Sequence, residues 1–245
     1  MKEYKFPEKK SVAILLDPDK INGQNLRSLL KIAEESATDY IFAGGSLTFN
    51  NIDDLIDSVK EICSIPIVLF PGNLLQLSQK ADKILLLSLI SGRNPELLIG
   101  NHVIAAPFLK DVKAKIVSVG YILISCGTKT SVEYMSQTEA IPADKPDIAV
   151  ATALAGEMLG MDMIYLEAGS GAAYHVPTGF VKTVRENISI PLAVGGGIKN
   201  KLEVREIFEA GADLIILGNA CEKNPGLLNE ACRVRDSFRK QILPE

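Results

Sequence analysis

The chain has 245 residues, the size of one α/β barrel, and its 47% hydrophobic and 23% charged composition supports a packed core and excludes a disordered chain. A formal net charge of -4 argues against broad, non-specific nucleic-acid binding, so an anionic substrate would need local amides or a metal ion rather than a positive field. The four cysteines (Cys63, Cys126, Cys221, Cys232) show no C-x-x-C spacing and no pairing with the two histidines, which disfavours zinc and disulfides and points to a reduced, cytoplasmic setting.

The opening residues Met1-Lys2-Glu3-Tyr4-Lys5 lack the apolar stretch of a signal peptide. Apolar runs such as residues 84–90 are far shorter than the roughly 20 residues that span a bilayer, so no transmembrane segment is expected. Short β-branched or Leu-rich runs then alternate with amphipathic segments, the signal for parallel βα units. In chain order the pattern predicts a strand at 12–17, a helix at 24–37, a strand at 40–45 and a helix at 52–63. Strands at 66–71 and 83–90 follow, then a helix at 95–112, a strand at 115–125 and a helix at 148–159. The chain closes with a strand at 163–168, a helix at 178–187, a strand at 191–196, a helix at 201–210, a strand at 214–218 and a helix at 225–242.

These strand runs are almost continuously apolar, as expected of strands buried on both faces. The predicted fold is one (β/α)8 TIM-barrel domain over residues 1–245. A doubly wound open sheet is the alternative, but its G-x-G-x-x-G after the first strand is absent; Asp17-Pro18-Asp19-Lys20 occupies that place. A local repeat favours the barrel: Asp39-Tyr40-Ile41, Asp82-Lys83-Ile84, Asp162-Met163-Ile164 and Asp213-Leu214-Ile215 open the second, fourth, sixth and eighth strands. The third helix is missing, because residues 72–82 are too few for a loop, a helix and another loop. That gap is either a shortened connection or a groove floored by Leu74, Leu75 and Leu77 that could accept a long hydrocarbon. Residues 127–145 form a polar excursion expected to pack over the barrel mouth.

Chemistry is expected at the strand ends. Gly195-Gly196-Gly197 and Gly218-Asn219 end the last two strands, where barrel enzymes bind phosphate with backbone amides that glycine leaves accessible. In Tyr165-Leu166-Glu167-Ala168-Gly169-Ser170-Gly171, Tyr165 and Glu167 share a face, and a Glu ending an apolar strand needs a partner or a task. The following Gly169-Ser170-Gly171 suits a polyol phosphate. Asp17 should face the mouth as a Mg²⁺ ligand, with the Ser46 hydroxyl of Gly44-Gly45-Ser46 beside it. Asp19 reads as a turn or cap residue. His102 reads as structural, His175 stays undecided, and the charges of the last helix look like a solvated face.

With these residues in view, the chain resembles the geranylgeranylglyceryl phosphate synthase family, which includes heptaprenylglyceryl phosphate synthases. The resemblance runs nearly end to end, through Leu16-Asp17-Pro18-Asp19-Lys20, Gly44-Gly45-Ser46, Leu69-Phe70-Pro71-Gly72-Asn73, residues 165–171, Val194-Gly195-Gly196-Gly197-Ile198 and Gly218-Asn219. It implies a Mg²⁺-dependent prenyltransferase that joins sn-glycerol 1-phosphate to a polyprenyl diphosphate through an ether bond. It implies that Asp17 and Ser46 hold the metal. The segment Tyr165, Leu166, Glu167, Ala168, Gly169, Ser170 and Gly171, with Gly196, Gly197, Gly218 and Asn219, would then hold glycerol phosphate. Homo-oligomers (dimer or hexamer), an irregular third helix and, for the lipid substrate, transient membrane contact are also expected.

One departure is Leu15, where some members carry a Lys; this fits the family's second group and leaves Arg93 or Lys20 to help neutralise the diphosphate. On this reading Glu167 is the general base and Tyr165 positions the glycerol. The rival is a sugar-phosphate isomerase or epimerase that uses Glu167 and Asp17 as an acid–base pair. A non-catalytic phosphate-binding barrel is a third reading, disfavoured by polar groups converging from three strands.

Overall fold

Eight parallel strands close into a barrel in sequence order, the last hydrogen-bonded back to the first. The computed structural model describes residues 6–21 and 23–240, so the leader reading at 1–5 and the predicted helix end at 241–242 lie outside the described residues. The first half runs β1 (Ser11–Leu16), α1 (Gly23–Glu35), β2 (Tyr40–Ala43), α2 (Ile52–Ile62) and β3 (Ile67–Leu69). A single 3-10 turn (Leu74–Gln76) leads to β4 (Lys83–Leu89), and a π-helical turn (Glu96–Gly100) runs into α3 (Asn101–Lys110). After β5 (Lys115–Leu123) come α4 (Ser131–Ser136), α5 (Pro146–Met158), β6 (Met163–Glu167) and α6 (Thr178–Asn187). The chain finishes with β7 (Leu192–Gly195), α7 (Lys201–Glu209), β8 (Leu214–Leu217), α8 (Asn219–Lys223) and α9 (Gly226–Lys240).

Alternation along each strand divides the apolar residues into two cores. Ala13, Phe42, Val68, Leu85, Val119, Met163, Ala193 and Leu214 fill the barrel interior, and Phe6 joins them, packed edge-on against Tyr40 at 4.9 Å. Val12, Ile14, Ile41, Ile67, Ile164, Val194 and Ile215 face outward and pack with the apolar sides of the helices, such as Leu29 and Leu30 of α1. This is why the strand runs are apolar at nearly every position. Helix ends follow the usual chemistry: the Asn51 side chain accepts from the Asp53 backbone at 2.9 Å to open α2, and Asn200 opens α7 in the same way.

The aspartate repeat has a structural cause. Asp39 accepts from Val12 N at 3.0 Å, Asp82 from Ile67 N at 2.7 Å, Asp162 from Ser118 N at 2.8 Å and Asp213 from Leu192 N at 3.0 Å. Each even strand is thus preceded by a carboxylate that pins a backbone N–H of the odd strand before it, near the strand start in β1, β3 and β7 and at the fourth residue of β5. Asp39 also meets the fully buried Arg235 at 2.7 Å and Arg239 at 2.6 Å, which ties α9 to the barrel bottom. The charges of that helix were expected to form a solvated face; Arg235 is instead enclosed, since a guanidinium can be buried when its donors are paired.

The predicted gap between β3 and β4 is present: only the 3-10 turn occupies it. Leu75, expected in the groove floor with Leu74 and Leu77, points to solvent at 95% exposure because the turn, capped by Asn73, rotates it outward. The predicted helix at 95–112 is interrupted in type rather than in path, starting as a π turn and carrying Pro107 near its end. In the excursion after β5, α4 forms on a capping box in which Thr130 and Glu133 bond reciprocally.

Candidate active site

The strand C-termini open onto one cleft of about 1080 Å³. It is lined by Asp17 from the end of β1, Ser46 after β2, Tyr165 and Glu167 of β6, Gly169-Ser170-Gly171, Gly196 and Gly197 after β7, and Gly218 and Asn219 after β8. The structure therefore brings the expected residues from five strand ends to one mouth. Leu166 and Ala168 are the exceptions. Their side chains fall on the other face of β6 and pack in the strand–helix layer, which leaves only their backbone for ligand contacts.

Glu167 is the most constrained group in the cleft. It is 7% exposed, its Oε1 accepts from Gly169 N at 2.6 Å, and the Tyr165 hydroxyl donates to it. Burial pushes its carboxyl above the usual carboxylate range, and the bonds from Tyr165 and Gly169 pull in the opposite direction without cancelling the rise. Burial likewise holds the Tyr165 and Tyr121 hydroxyls far above their ordinary pKa, so both remain donors. The rings of Tyr121 and Tyr165 meet perpendicularly at 5.2 Å, with Phe70 5.9 and 5.8 Å from them, and form an aromatic floor. Gly196, at φ +80°, brings the β7 loop against Glu167; a β-carbon there would collide with the carboxylate. Across this corner Asn219 Nδ2 donates to Ser170 Oγ at 3.1 Å, joining the loops after β6 and β8.

Asp17 and Ser46 line the same cleft from the ends of β1 and β2. Asp17 is 9% exposed; its Oδ1 accepts from Asp19 N at 3.1 Å and its Oδ2 pairs with Lys20 Nζ at 2.8 Å. Gly45 lies against this carboxylate so closely that a β-carbon would stand 3.1 Å from it. Asp19 caps the neighbouring loop, accepting from Phe49 N and Asn50 N at 2.8 Å each, in line with its expected cap role. Among the described residues no group of three or more His, Cys, Asp or Glu could hold a metal. Asp17 and Ser46 offer the cleft one carboxylate and one hydroxyl, a donor set of the kind Mg²⁺ uses when substrate oxygens and water complete its shell.

A second cavity of about 290 Å³ fills the place of the missing helix. Leu74, Leu77, Leu87, Leu97 and Ala105 line it, and Gly45, Ser46, Phe70, Tyr121, Val132 and Met135 border both cavities, so the groove opens into the cleft beside Asp17. His102, expected to be structural, also lines the groove, with Nε2 2.9 Å from Ser88 Oγ; burial lowers its pKa, which favours the neutral ring. His175 bonds the Val176 carbonyl at 2.7 Å and is not among the cleft-lining residues. Arg93 donates to the carbonyls of Ile90 and Gly92 at 3.0 and 2.7 Å and borders neither cavity.

Sequence reasoning missed several contributors. Gln76 is 3% exposed and donates to Gly45 O at 2.8 Å while accepting from Gly72 N at 3.1 Å, so it fastens the loop carrying Ser46 to the groove edge. Its signal was a lone amide among Leu74, Leu75 and Leu77. Phe70 and Tyr121 carry no such signal, because nothing in an all-apolar strand tells its inner face from its outer one. Glu222 of α8 enters the cleft from a helix too short for periodicity to show.

The matches to known proteins agree with this geometry. The chain is 43% identical to geranylgeranylglyceryl phosphate synthase of Spirosoma linguale over 99% of this chain and 98% of that protein. It is 47% identical to the protein of that name from Chitinophaga pinensis, over 90% of this chain and 88% of the relative. The crystal structure of (S)-3-O-geranylgeranylglyceryl phosphate synthase from Thermoplasma acidophilum, in complex with its substrate sn-glycerol-1-phosphate, superposes with a TM-score of 0.88 at 30% identity, covering 94% of each chain. The family model described as PcrB family matches residues 4–235. By these matches the chain belongs to the PcrB family.

Proposed function

We propose that this protein is a geranylgeranylglyceryl phosphate synthase, a prenyltransferase of lipid biosynthesis. It joins the 3-hydroxyl of sn-glycerol 1-phosphate to C1 of a polyprenyl diphosphate, geranylgeranyl diphosphate foremost, and releases diphosphate. The observation that carries this reading is the union of two unlike cavities: an apolar groove, made by omission of a helix, opens into a polar cleft beside Asp17. A sugar-phosphate isomerase has no use for the groove. The names of the relatives and the glycerol phosphate bound by the Thermoplasma protein support the same substrates.

In this proposal the glycine corner of Gly196, Gly197, Gly218 and Asn219 and the Gly169-Ser170-Gly171 loop hold the phosphate and glycerol of the acceptor. Asp17 and Ser46 would hold Mg²⁺, which when bound would supply Lewis-acid stabilisation of the leaving diphosphate. The prenyl tail lies along Leu74, Leu77 and Leu97, and the aromatic floor shields the reacting carbon from water. The C1–O bond to diphosphate breaks with its electron pair going to diphosphate, the glycerol 3-oxygen bonds to C1, and its proton passes to the Glu167 carboxylate. A carboxyl with a raised pKa is a better proton acceptor than an ordinary one, and Tyr165 orients it. No helix among the described residues is long and apolar enough to cross a membrane. A cytoplasmic enzyme that meets its lipid substrate by transient membrane contact, and that assembles as a homo-oligomer (dimer or hexamer), completes the proposal.

The test is incubation with sn-glycerol 1-phosphate and prenyl diphosphates of graded length, with and without Mg²⁺. The expected result is an ether product, formed best from the 20-carbon donor and only with the ion. No ether product from any donor would overturn the proposal.

A further inference from the structure

The cleft presents a charge problem to a diphosphate. Asp17, Asp19, Glu167 and Glu222 all line it, and Leu15 contributes no charge to its wall. Four lysines also line it: Lys20, Lys129, Lys199 and Lys223. Lys199 is committed elsewhere, donating to Ala173 O at 2.6 Å. Lys20 differs from the others because its Nζ sits 2.8 Å from Asp17 Oδ2, the carboxylate assigned to the metal.

The backbone fixes that placement. Lys20 N and Ile21 N both donate to Asp17 O, at 3.0 and 3.2 Å, which folds the turn after β1 back over the carboxylate. Asp19, the adjacent acid, is occupied by Phe49 N and Asn50 N, and Asn50 Nδ2 donates to Pro18 O at 3.1 Å, so the turn is pinned to the next loop. Lys20 is left with Asp17 as its ion-pair partner while its side chain remains 44% exposed, free to swing into the cleft. The carboxyl of Glu222, raised first by burial, also feels Lys20 and Asp17, so the three groups share one corner.

We propose that Lys20 is the cation that binds the diphosphate of the prenyl substrate, and that its pairing with Asp17 is a resting state that ends when the substrate arrives. This rests on the prenyltransferase reading and supplies the positive charge that reading lacks near Asp17. Asp17 would hold the metal that accompanies the diphosphate, and an Asp17 so engaged would release Lys20 to the anionic oxygens of the substrate. The exchange keeps the Lys20 charge paired before and after binding. It also holds free cations away from Asp17 until the diphosphate is present.

The test is Lys20→Met, with Lys20→Arg as the conservative variant and Lys129→Met and Lys223→Met as comparisons. In Lys20→Met the KM for the prenyl diphosphate should rise about 10- to 100-fold, the scale of one lost charge-assisted hydrogen bond. Calorimetric titration with inorganic diphosphate plus Mg²⁺ should weaken by a similar factor, while affinity for sn-glycerol 1-phosphate stays unchanged. Mn²⁺ alone should bind Lys20→Met more tightly than wild type, because Asp17 is no longer paired, and Lys20→Arg should recover part of the diphosphate affinity. An active wild type with unchanged KM and diphosphate affinity in Lys20→Met overturns the proposal, as does a loss that follows Lys129→Met or Lys223→Met instead. Unchanged Mn²⁺ affinity overturns the resting-state part. A wild type that makes no ether refutes the prenyltransferase reading separately, and the diphosphate titration then still decides the role of Lys20.

Discussion

Replacing Glu167 by Gln changes one buried oxygen to an amide and leaves the shape of the cleft intact. The carbonyl of the amide can still accept from Gly169 N, now 2.6 Å from Oε1, so the loop after β6 should hold its position. What is lost is the proton acceptor. A positioned general base contributes about 10²- to 10⁴-fold, or about 3–5 kcal/mol of barrier at about 1.4 kcal/mol per tenfold. Stability should move the other way. Burial raises the pKa of Glu167 in the folded state, so its favourable contribution is present below the unfolded carboxyl pKa of about 4.3 and is lost as pH rises through the folded value. Once pH exceeds the folded value the wild type carries a buried charge that the Gln variant lacks, at about 1.4 kcal/mol for each unit of the rise. Steady-state turnover, titration with sn-glycerol 1-phosphate and thermal melts at pH 4 and pH 8 measure all three effects. The expected result is lost turnover, retained glycerol-phosphate affinity, and a melting temperature at or above wild type at pH 8 that converges with it at pH 4. Turnover near wild type would refute the base assignment, and a lower melting temperature at pH 8 would refute the electrostatic argument.

Three further changes probe other parts of the account. Gly196→Ala should add about 1–3 kcal/mol of backbone strain at φ +80° and displace the Glu167 carboxylate, lowering kcat by about 100-fold with circular dichroism unchanged. Gln76→Leu leaves Gly45 O and Gly72 N unpaired; it should cost about 1–3 kcal/mol of stability and raise the Mg²⁺ concentration needed for half-maximal rate, a shift that a purely structural role would not produce. Arg235→Ala removes one of the two guanidinium partners of Asp39 and leaves Arg239 in place; it should cost about 1.5–3 kcal/mol, a fall of about 3–12 °C in melting temperature, with KM for both substrates unchanged.

Much of the fold is legible in the sequence because buried parallel strands leave a blunt signature. The apolar runs and the short span of residues 72–82 suffice to place eight strands and to remove one helix. The aspartate repeat was visible too, and its cause appears only when each carboxylate meets a backbone N–H of the preceding strand. Glu167, Asp17 and the glycine corner were legible because a polar or strained residue at the end of an apolar strand needs a reason. The aromatic floor was not, since Phe70 and Tyr121 look like any other core residue until alternation is fixed by the barrel. The outward turn of Leu75 depends on one 3-10 cap, and the burial of Arg235 depends on an acid almost 200 residues away in sequence; neither is a local property.

The polar cleft and the apolar groove form one site, with Asp17 and Glu167 both lining the cleft. The most direct measurement is a crystal structure with sn-glycerol 1-phosphate, Mg²⁺ and a non-reactive thio analogue of geranylgeranyl diphosphate. The account predicts the diphosphate between Asp17, Ser46 and Lys20, the tail along Leu74, Leu77 and Leu97, and the glycerol 3-hydroxyl within hydrogen-bond reach of Glu167. A tail lying outside the groove, or a glycerol phosphate away from Gly196 and Gly218, would contradict it.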